Sequence, residues 1–390
     1  MKFALGADDW NRVGIKHSIC LEVRYVLKKI LIVMGTRPEA IKLCPLINEL
    51  KTHEQFQVIV CSSGQHRELL DQVLRIFQVI PDYELSVMRE KQSLSELTTD
   101  VLRGLTTVSE KVSPDLVLVH GDTTTAYASA LAAFYMKIPI GHIEAGLRTY
   151  NIRIPFPEEF NRQSIGMMST YHFAPTQRAR ENLLREGKPP SRIYVTGNTV
   201  VDALKTTIQS SYTHPLLEWA EGSRLILITA HRRENLGLPM ENMFNAIRRV
   251  VREHSDVKVI YPAHFNPLVR ESAHNLLDGE SRIRIVEALD VRDFHNIMAR
   301  SYLILTDSGG IQEEAPLLGK PVLVLRDVTE RPEGIETGTL KLVGTNASSI
   351  YENFSSVLND PIEYQRMSRV SNQYGDGNAS KRIAEILLRL

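Results

Sequence analysis

Cysteine is scarce. Cys20, Cys44 and Cys61 are the only three in 390 residues, an odd number with no CxxC spacing. That rules out a disulfide framework and predicts reduced thiols in a reducing compartment, the cytoplasm. An excess of charge of either sign is also missing. Lys plus Arg and Asp plus Glu stand at 46 each, so no global field draws the chain to nucleic acid or to a membrane surface, and any anion site must be local. No apolar run approaches the ~18–20 residues that span a bilayer. The opening MKFALGADDWNRVGIKHSIC places acids and a tryptophan where a signal peptide needs an uninterrupted apolar stretch. Low-complexity tracts and solenoid repeats are absent too. What remains is an ordinary globular composition, 43% apolar and 24% charged, with length for two domains that each bury a core.

From Lys28 onward short β-rich apolar runs alternate with amphipathic stretches. KKILIVMG, FQVIVCSSG, DLVLVHGD and IPIGHIEAG read as buried strands, with helices between them, including one through Ser93–Lys111. The pattern restarts near Gly197 with RLILIT, VKVIYP, IRIVEAL, YLILTDSGG and PVLVLRD. Continuous apolar strands separated by helices predict parallel sheets covered on both faces. The expected fold class is therefore α/β, two Rossmann-like doubly wound domains facing a central cleft. The expected division is an extension over 1–27, an N-terminal domain over 28–197 and a C-terminal domain over 198–372. A final helix within 373–390 packs back on one of the two, and VTGNTV (Val195–Val200) is the candidate hinge. In such sheets ligands bind beyond the carboxyl ends of the strands, so polar residues just after each strand are the ones to examine.

Five segments qualify. GTRPEAIK follows the first strand, and its turn, helix start, Arg37 and Lys42 read either as an anion contact or as a plain βα turn. In HGDTTT and GHIEAGLR, Asp122 and Glu144 each follow a buried strand. If those strands are neighbours the acids meet at the cleft and can divide acid and base roles, although Asp122 can instead cap the next helix. His120 and His142 lie two residues before these acids, but no third ligand completes a metal set, and none is expected. RIPFPEEFNRQ stiffens a loop with prolines and starts a helix with Glu158 and Glu159, either facing the helix dipole or pointing into the cleft. ITAHRRENLG concentrates His231, Arg232, Arg233 and Glu234 at a strand end, a turn suited to a diphosphate. LTDSGGIQEEAP runs a buried strand into Asp307, Ser308, Gly309 and Gly310 and then a helix. Its glycines admit a phosphate close to the backbone, and Glu313 or Glu314 lies in reach of ribose hydroxyls. Arg331 in TERPEG can reach the same phosphate, while His264 and Asn266 in YPAHFNP sit at another strand end.

Taken together, GTRPEAIK, GQHRELLDQVL, VHGDTTTAYASALAAFY, GHIEAGLRT, PFPEEFNR, FAPT, VTGNTVVDAL, TAHRREN, LTDSGGIQEEAP and GKPVLVLRDVTERPE resemble the non-hydrolysing UDP-N-acetylglucosamine 2-epimerases of bacteria and archaea, over essentially all of the chain from Lys28. The resemblance implies the glycosyltransferase-B architecture, no cofactor, a homodimer and a role in supplying cell-envelope polysaccharide synthesis. It implies that Arg37, Lys42, His231, Ser308, Gly309, Gly310, Glu314 and Arg331 hold UDP, with Phe294 near the uracil. Asp122, Glu144 and Glu158 would surround the sugar and, with His231, carry the chemistry. In members activated by a second substrate molecule, the matching positions are Gln65, Arg232 and His264. Residues 1–27 lie outside the family pattern, NRQSIGMMSTYH is less typical of it, and Glu68 stands where activated members have glutamine.

Inverting C2 of the sugar requires exchange of a proton with no carbonyl beside it. Breaking the C1–O bond first places positive charge next to C2 and acidifies its hydrogen. The expected route is elimination to UDP and 2-acetamidoglucal, then re-addition with protonation from the other face. Two faces need two proton-transfer groups, which accounts for several carboxylates around the sugar. A glycosyltransferase using a UDP-sugar donor and a non-catalytic nucleotide-sugar sensor are the competing readings.

Overall fold

The structure is a computed structural model and describes residues 27–64, 67–89, 92–264, 266–329, 331–370 and 372–390. Seven parallel strands, β1 (Lys28–Met34), β2 (Phe56–Ser62), β3 (Tyr83–Glu84), β4 (Leu116–His120), β5 (Ile140–Ile143), β6 (Tyr171–Ala174) and β7 (Ile193–Val195), form one sheet in the order β3-β2-β1-β4-β5-β6-β7. Six more, β8 (Arg224–Thr229), β9 (Val257–Pro262), β10 (Ile283–Val286), β11 (Leu303–Thr306), β12 (Val322–Val324) and β13 (Leu340–Leu342), form a second sheet in the order β10-β9-β8-β11-β12-β13. This is the α/β, glycosyltransferase-B-like class expected. Strands β3, β6, β7 and β13 were not anticipated. At two to four residues each they are too short to show a periodic signal of their own.

The continuous apolar runs have a simple cause. Successive strand side chains point to opposite faces, and both faces of each sheet are covered by helices. In β1, Ile30, Ile32 and Met34 enter one core while Leu31 and Val33 enter another. In β8, Ile226 and Ile228 go to one face, and Leu225 and Leu227 to the other. The central strands β1 and β8 therefore have no polar face to show.

Strand order reverses between β1 and β4 in the first sheet and between β8 and β11 in the second. At such a switch point the following helices leave on opposite sides and open a crevice. The register brings His120 level with Ile143 and Thr229 level with Thr306. Asp122 and Glu144 on one sheet, and His231 and Ser308 on the other, thus emerge at the same height.

The chain crosses between the sheets twice, side by side. The first crossing passes through Gly197 into the helix Thr199–Thr207, and the second returns through Tyr374 and Gly375 to the helix Ala379–Arg389. Asn198 N–H donates to Tyr374 O (2.7 Å), and Asp202 accepts from Ala379 N and Ser380 N (3.2 and 2.9 Å). Ile383, Ala384 and Leu387 of the last helix join the core of the first sheet, next to the helix Arg37–Lys51. Among the described residues no helix is long and apolar enough to cross a membrane.

Gly197 has φ +85°, and a Cβ there would lie 3.2 Å from Gly375 Cα, whereas Gly222 has φ +72° with nothing within 4 Å. Gly222→Ala should therefore cost only the left-handed backbone penalty, about 1–2 kcal/mol. Gly197→Ala adds a backbone collision at the crossing and should cost about 3 kcal/mol or more. Urea unfolding midpoints compare the two variants directly. Equal losses would show that the glycine contact does not constrain the crossing.

Candidate active site

The helix Arg37–Lys51 starts at the mouth of the first sheet, yet its N-terminus is already occupied. Glu39 accepts from Gly35 N and Thr36 N (3.0 and 2.8 Å), while Glu39 N donates to Thr36 Oγ1 (3.4 Å), a capping box. Thr123 Oγ1 also donates to Glu39 (2.6 Å), fastening this turn to the one after β4. The first βα turn thus spends the Gly35 and Thr36 N–H groups on its own carboxylate. What it presents is Arg37, whose Nη2 reaches Leu289 O of the second sheet's side (2.8 Å). Burial pulls the Arg37 guanidinium down, opposed by Asp290 and Glu314.

Lys42 does not reach into open cleft either. Its ammonium is buried against Glu144 and lies 3.7 Å from Glu313 of the helix Gly309–Leu317. In this structure the buried ammonium takes the nearest carboxylate. Arg331, expected at a phosphate, is likewise bonded through Nε to Glu313, which is fully buried. Asn198 donates to both acids, at 2.7 Å to Glu144 and 2.6 Å to Glu313. Two carboxylates and two cations thus meet at the crossing. Burial would push Glu144 up, but Lys42, His120 and Arg331 outweigh it and hold Glu144 well below the usual carboxylate range. Burial pulls Lys42 down, and Glu144 with Glu313 more than restores it, whereas burial pushes Glu313 up. Glu144 also has φ +63°, a left-handed backbone uncommon for a glutamate and the kind of strain kept at functional positions.

Asp122 is not a helix cap. Thr123 caps the helix Thr124–Tyr135 by accepting from Ala126 N (2.9 Å). The Asp122 carboxylate instead pairs with Arg162 Nη2 (2.5 Å), and its carbonyl accepts from Asn161 Nδ2 (2.8 Å). Asp122 and Glu144 do emerge side by side, but each is neutralised by its own cation. His142 Nε2 lies 2.7 Å from Gly121 O and holds the turn. Burial drives His142 down to about 3 and His120 to about 4, so both rings are neutral. Among the described residues no three His, Cys, Asp or Glu converge as a metal site.

Glu158 and Glu159 separate by face. Glu159 is fully buried and accepts from Arg162 Nη1 (3.0 Å), Gln163 Nε2 (3.0 Å) and Tyr150 N (3.1 Å). Glu158 faces Asp122, Arg232 and Arg162, and its Oε2 is buried without a hydrogen-bond partner. Burial first, then Asp122, pushes its carboxyl up.

Across the cleft, the fully buried Asp307 organises the cationic turn after β8. Its Oδ2 accepts from His231 N (2.8 Å), Arg232 N (2.8 Å) and Asn235 Nδ2 (3.0 Å), and His231 Nδ1 lies 3.5 Å from Oδ1. The His231 and His264 rings stack at 5.1 Å. Ser308 is the N-cap of the helix Gly309–Leu317 but makes no side-chain cap, and no acid lies in the first turn. Unlike the first sheet's helix, this one presents an N-terminus without a capping carboxylate. A Cβ at Gly310 would lie 3.4 Å from Glu314 Oε1, so the glycine keeps that surface low. Glu314 Oε2 is 3.5 Å from His295 Nε2, and the Phe294 ring meets the His295 ring edge-on at 6.3 Å. Gln65 lies outside the described residues. Sequence reasoning missed the roles of Arg162, Asn198, Asp307 and Glu313. Their types are unremarkable in the sequence, although the T-x-x-E spacing of Thr36 and Glu39 was a visible capping signal.

The family described as UDP-N-acetylglucosamine 2-epimerase matches residues 48–388 of the chain. The UDP-N-acetylglucosamine 2-epimerase of Bacillus subtilis is 56% identical over 360 residues, which is 92% of this chain and 95% of that protein. A structure of the S. aureus protein MnaA with UDP superposes with a TM-score of 0.90 at 51% identity, covering 93% of this chain and 98% of that one. The Neisseria meningitidis enzyme bound to UDP-GlcNAc superposes with a TM-score of 0.89 at 48% identity, covering 93% of this chain and 100% of that one.

Because Glu158 titrates higher folded than unfolded, folding favours its protonated form. Its contribution to stability is complete below the usual glutamate range and is lost as pH rises through the raised value. Glu158→Gln should therefore melt above the parent protein at pH 8, with the gap closing toward pH 4. A gap independent of pH would contradict the burial of this acid.

Proposed function

The chain belongs to the UDP-N-acetylglucosamine 2-epimerase family and is an isomerase that interconverts UDP-N-acetylglucosamine and UDP-N-acetylmannosamine, and we propose that it does so in the cleft between its two sheets by elimination and re-addition of UDP. One arrangement supports this reading. Three acids, Asp122, Glu144 and Glu158, stand at the mouth of one sheet, opposite a helix N-terminus and a His231–Arg232 turn at the mouth of the other.

In this reading the diphosphate lies on the Ser308-Gly309-Gly310 helix start, with His231 and Arg37 beside it. Glu314 takes the ribose hydroxyls and Phe294 lies beside the uracil. A preorganised donor at a departing oxyanion is worth on the order of 3–4 kcal/mol. Lys42 and Arg331 act at one remove, balancing Glu144 and Glu313. When the C1–O electrons leave with UDP, the C2 proton passes to one carboxylate, giving 2-acetamidoglucal. A second acid then delivers a proton to the opposite face as UDP adds back. Glu144, held ionised, suits removal, and Glu158, held up by burial, suits delivery; in the reverse direction they exchange duties. The division into domains over 28–197 and 198–372, hinged near Asn198, gives the closure that keeps water from the glycal.

Three further features belong to the same proposal. The chain forms a homodimer, for which exposed Phe134 (53%), Tyr135 (67%) and Met167 (73%), at the carboxyl ends of the packed helices Thr124–Tyr135 and Glu158–Met168, supply an apolar surface. A second substrate molecule activates it through Arg232 and His264, beside His231, together with Gln65. The unpaired thiols Cys44 and Cys61 support a reducing compartment, the cytoplasm.

Incubation with UDP-N-acetylglucosamine in D2O, followed by proton NMR, should show deuterium at C2 of both sugars. Asp122→Asn, Glu144→Gln and Glu158→Gln should each lower that exchange about 100–10,000-fold. Free UDP and glycal should accumulate with a crippled variant. Transfer of sugar to an acceptor without C2 exchange would instead establish the transferase reading. Light scattering should report a dimer, reduced to monomer by Tyr135→Glu with Met167→Glu. A monomeric parent protein would remove the dimer from the proposal.

A further inference from the structure

Asn198 uses every polar atom of its side chain. The two amide hydrogens go to different carboxylates, Glu144 Oε2 at 2.7 Å and Glu313 Oε2 at 2.6 Å, while Oδ1 accepts from Val200 N (3.1 Å) and caps the helix Thr199–Thr207. The residue is buried, and its backbone N–H is tied to Tyr374 O where the chain crosses back. No other side chain meets these demands. Aspartate caps a helix but has no hydrogens to donate, serine has one, and glutamine is a methylene too long to cap. Glu144 belongs to the first sheet, Glu313 to the second, and Asn198 to the strand of chain about which the two would turn.

We propose that Asn198 and Glu313 are positioning residues for the epimerisation, linking Glu144 to the second sheet at the hinge so that its proton affinity is set by how the two sheets are seated. The inference rests on the reading of Glu144 as a proton-transfer group. The charged and titratable groups facing Glu144 are Lys42 from the helix Arg37–Lys51, His120 at the end of β4, Glu313 from the helix Gly309–Leu317 and Arg331 from beyond β12. Lys42 and His120 travel with Glu144. Glu313 and Arg331 travel with the other sheet, so a relative movement changes the balance of charge around Glu144 while Lys42 stays in place. Asn198 is the neutral donor that lets two carboxylates approach without a third cation.

Two substitutions at this point have opposite electrostatic signs. Asn198→Asp keeps the helix cap, removes both donors and sets a third acid against Glu144. Glu313→Gln removes a negative charge and leaves Lys42 and Arg331 to Glu144 alone. The acid limb of the kcat profile for C2 deuterium exchange should move up by about one pH unit or more in Asn198→Asp, whereas Glu313→Gln, which lowers an already low proton affinity, should leave no limb above that of the parent protein. The KM for UDP-N-acetylglucosamine should stay within about threefold of the parent value in both. Asn198→Ser keeps the cap with one donor and no added charge. It serves if Asn198→Asp does not fold, and its acid limb should move up by a smaller step. Limbs of the Asn198 variants that stay in place while activity falls evenly at every pH would overturn the proposal and leave Asn198 a structural residue. Glu144→Gln run alongside separates the two readings. If it exchanges C2 at the parent rate, the assignment of Glu144 fails; if it is inactive and the limbs of the Asn198 variants stay fixed, only the positioning role fails.

Discussion

A cluster of four charges buried where the chain passes between its sheets constrains everything else in this molecule. Placing two carboxylates in a dry interior costs several kcal/mol each unless cations and hydrogen bonds compensate. Lys42 and Arg331 supply the charge, and Asn198 supplies the remaining donors. The cluster closes only when both sheets are folded and seated, because Lys42 and Glu144 come from one, and Glu313 and Arg331 from the other. The cluster thereby ties residues of the two sheets together where the chain crosses between them.

The two sheets share a topology but not a use of their first helix termini. In the first sheet, the helix after β1 is closed by the Thr36–Glu39 capping box, which takes the backbone donors of Gly35, Thr36 and Glu39. In the second, the helix after β11 begins Ser-Gly-Gly with no capping side chain. One half therefore presents a helix N-terminus without a capping carboxylate, and the other presents acids. The proposed elimination, which holds a departing diphosphate while a proton moves on the neighbouring carbon, draws on both. Asp307 and Arg162 play matching supporting parts. Each is a buried charge that orients its neighbours, Asp307 fixing the cleft residues His231 and Arg232, and Arg162 fixing Asp122 at the cleft and Glu159 behind it.

Burial also sorts the acids. Glu144 is drawn down by three cationic or polar neighbours, and Glu158 is pushed up by burial and by Asp122. Two carboxylates of identical intrinsic acidity thus come to differ in the direction that the proposed two-faced proton transfer uses. Their residue types carry no hint of that difference; only their neighbours do.

The longer apolar strands, the doubly wound class and the residues at those strand ends were legible in the sequence, because an apolar run and the residues just beyond it are local properties. Asp122, Glu144, His231 and Ser308 could be named for that reason, as could the glycine-asparagine break at the crossing. The partners could not. Lys42 and Glu144 lie 102 residues apart, and Asn198 and Glu313 lie 115 apart, with nothing between them to announce a meeting. The lysine expected in the cleft was found bonded to an acid, and the aspartate allowed as a cap was found paired to an arginine. The short strands β3 and β13 likewise exist through pairing with a neighbour rather than through any pattern of their own. The order of residues along the chain by itself determined which groups reach the ends of the strands. The tertiary structure alone decided which of them meet, and so which are charged, because electrostatic energy depends on distance in space and on the exclusion of water.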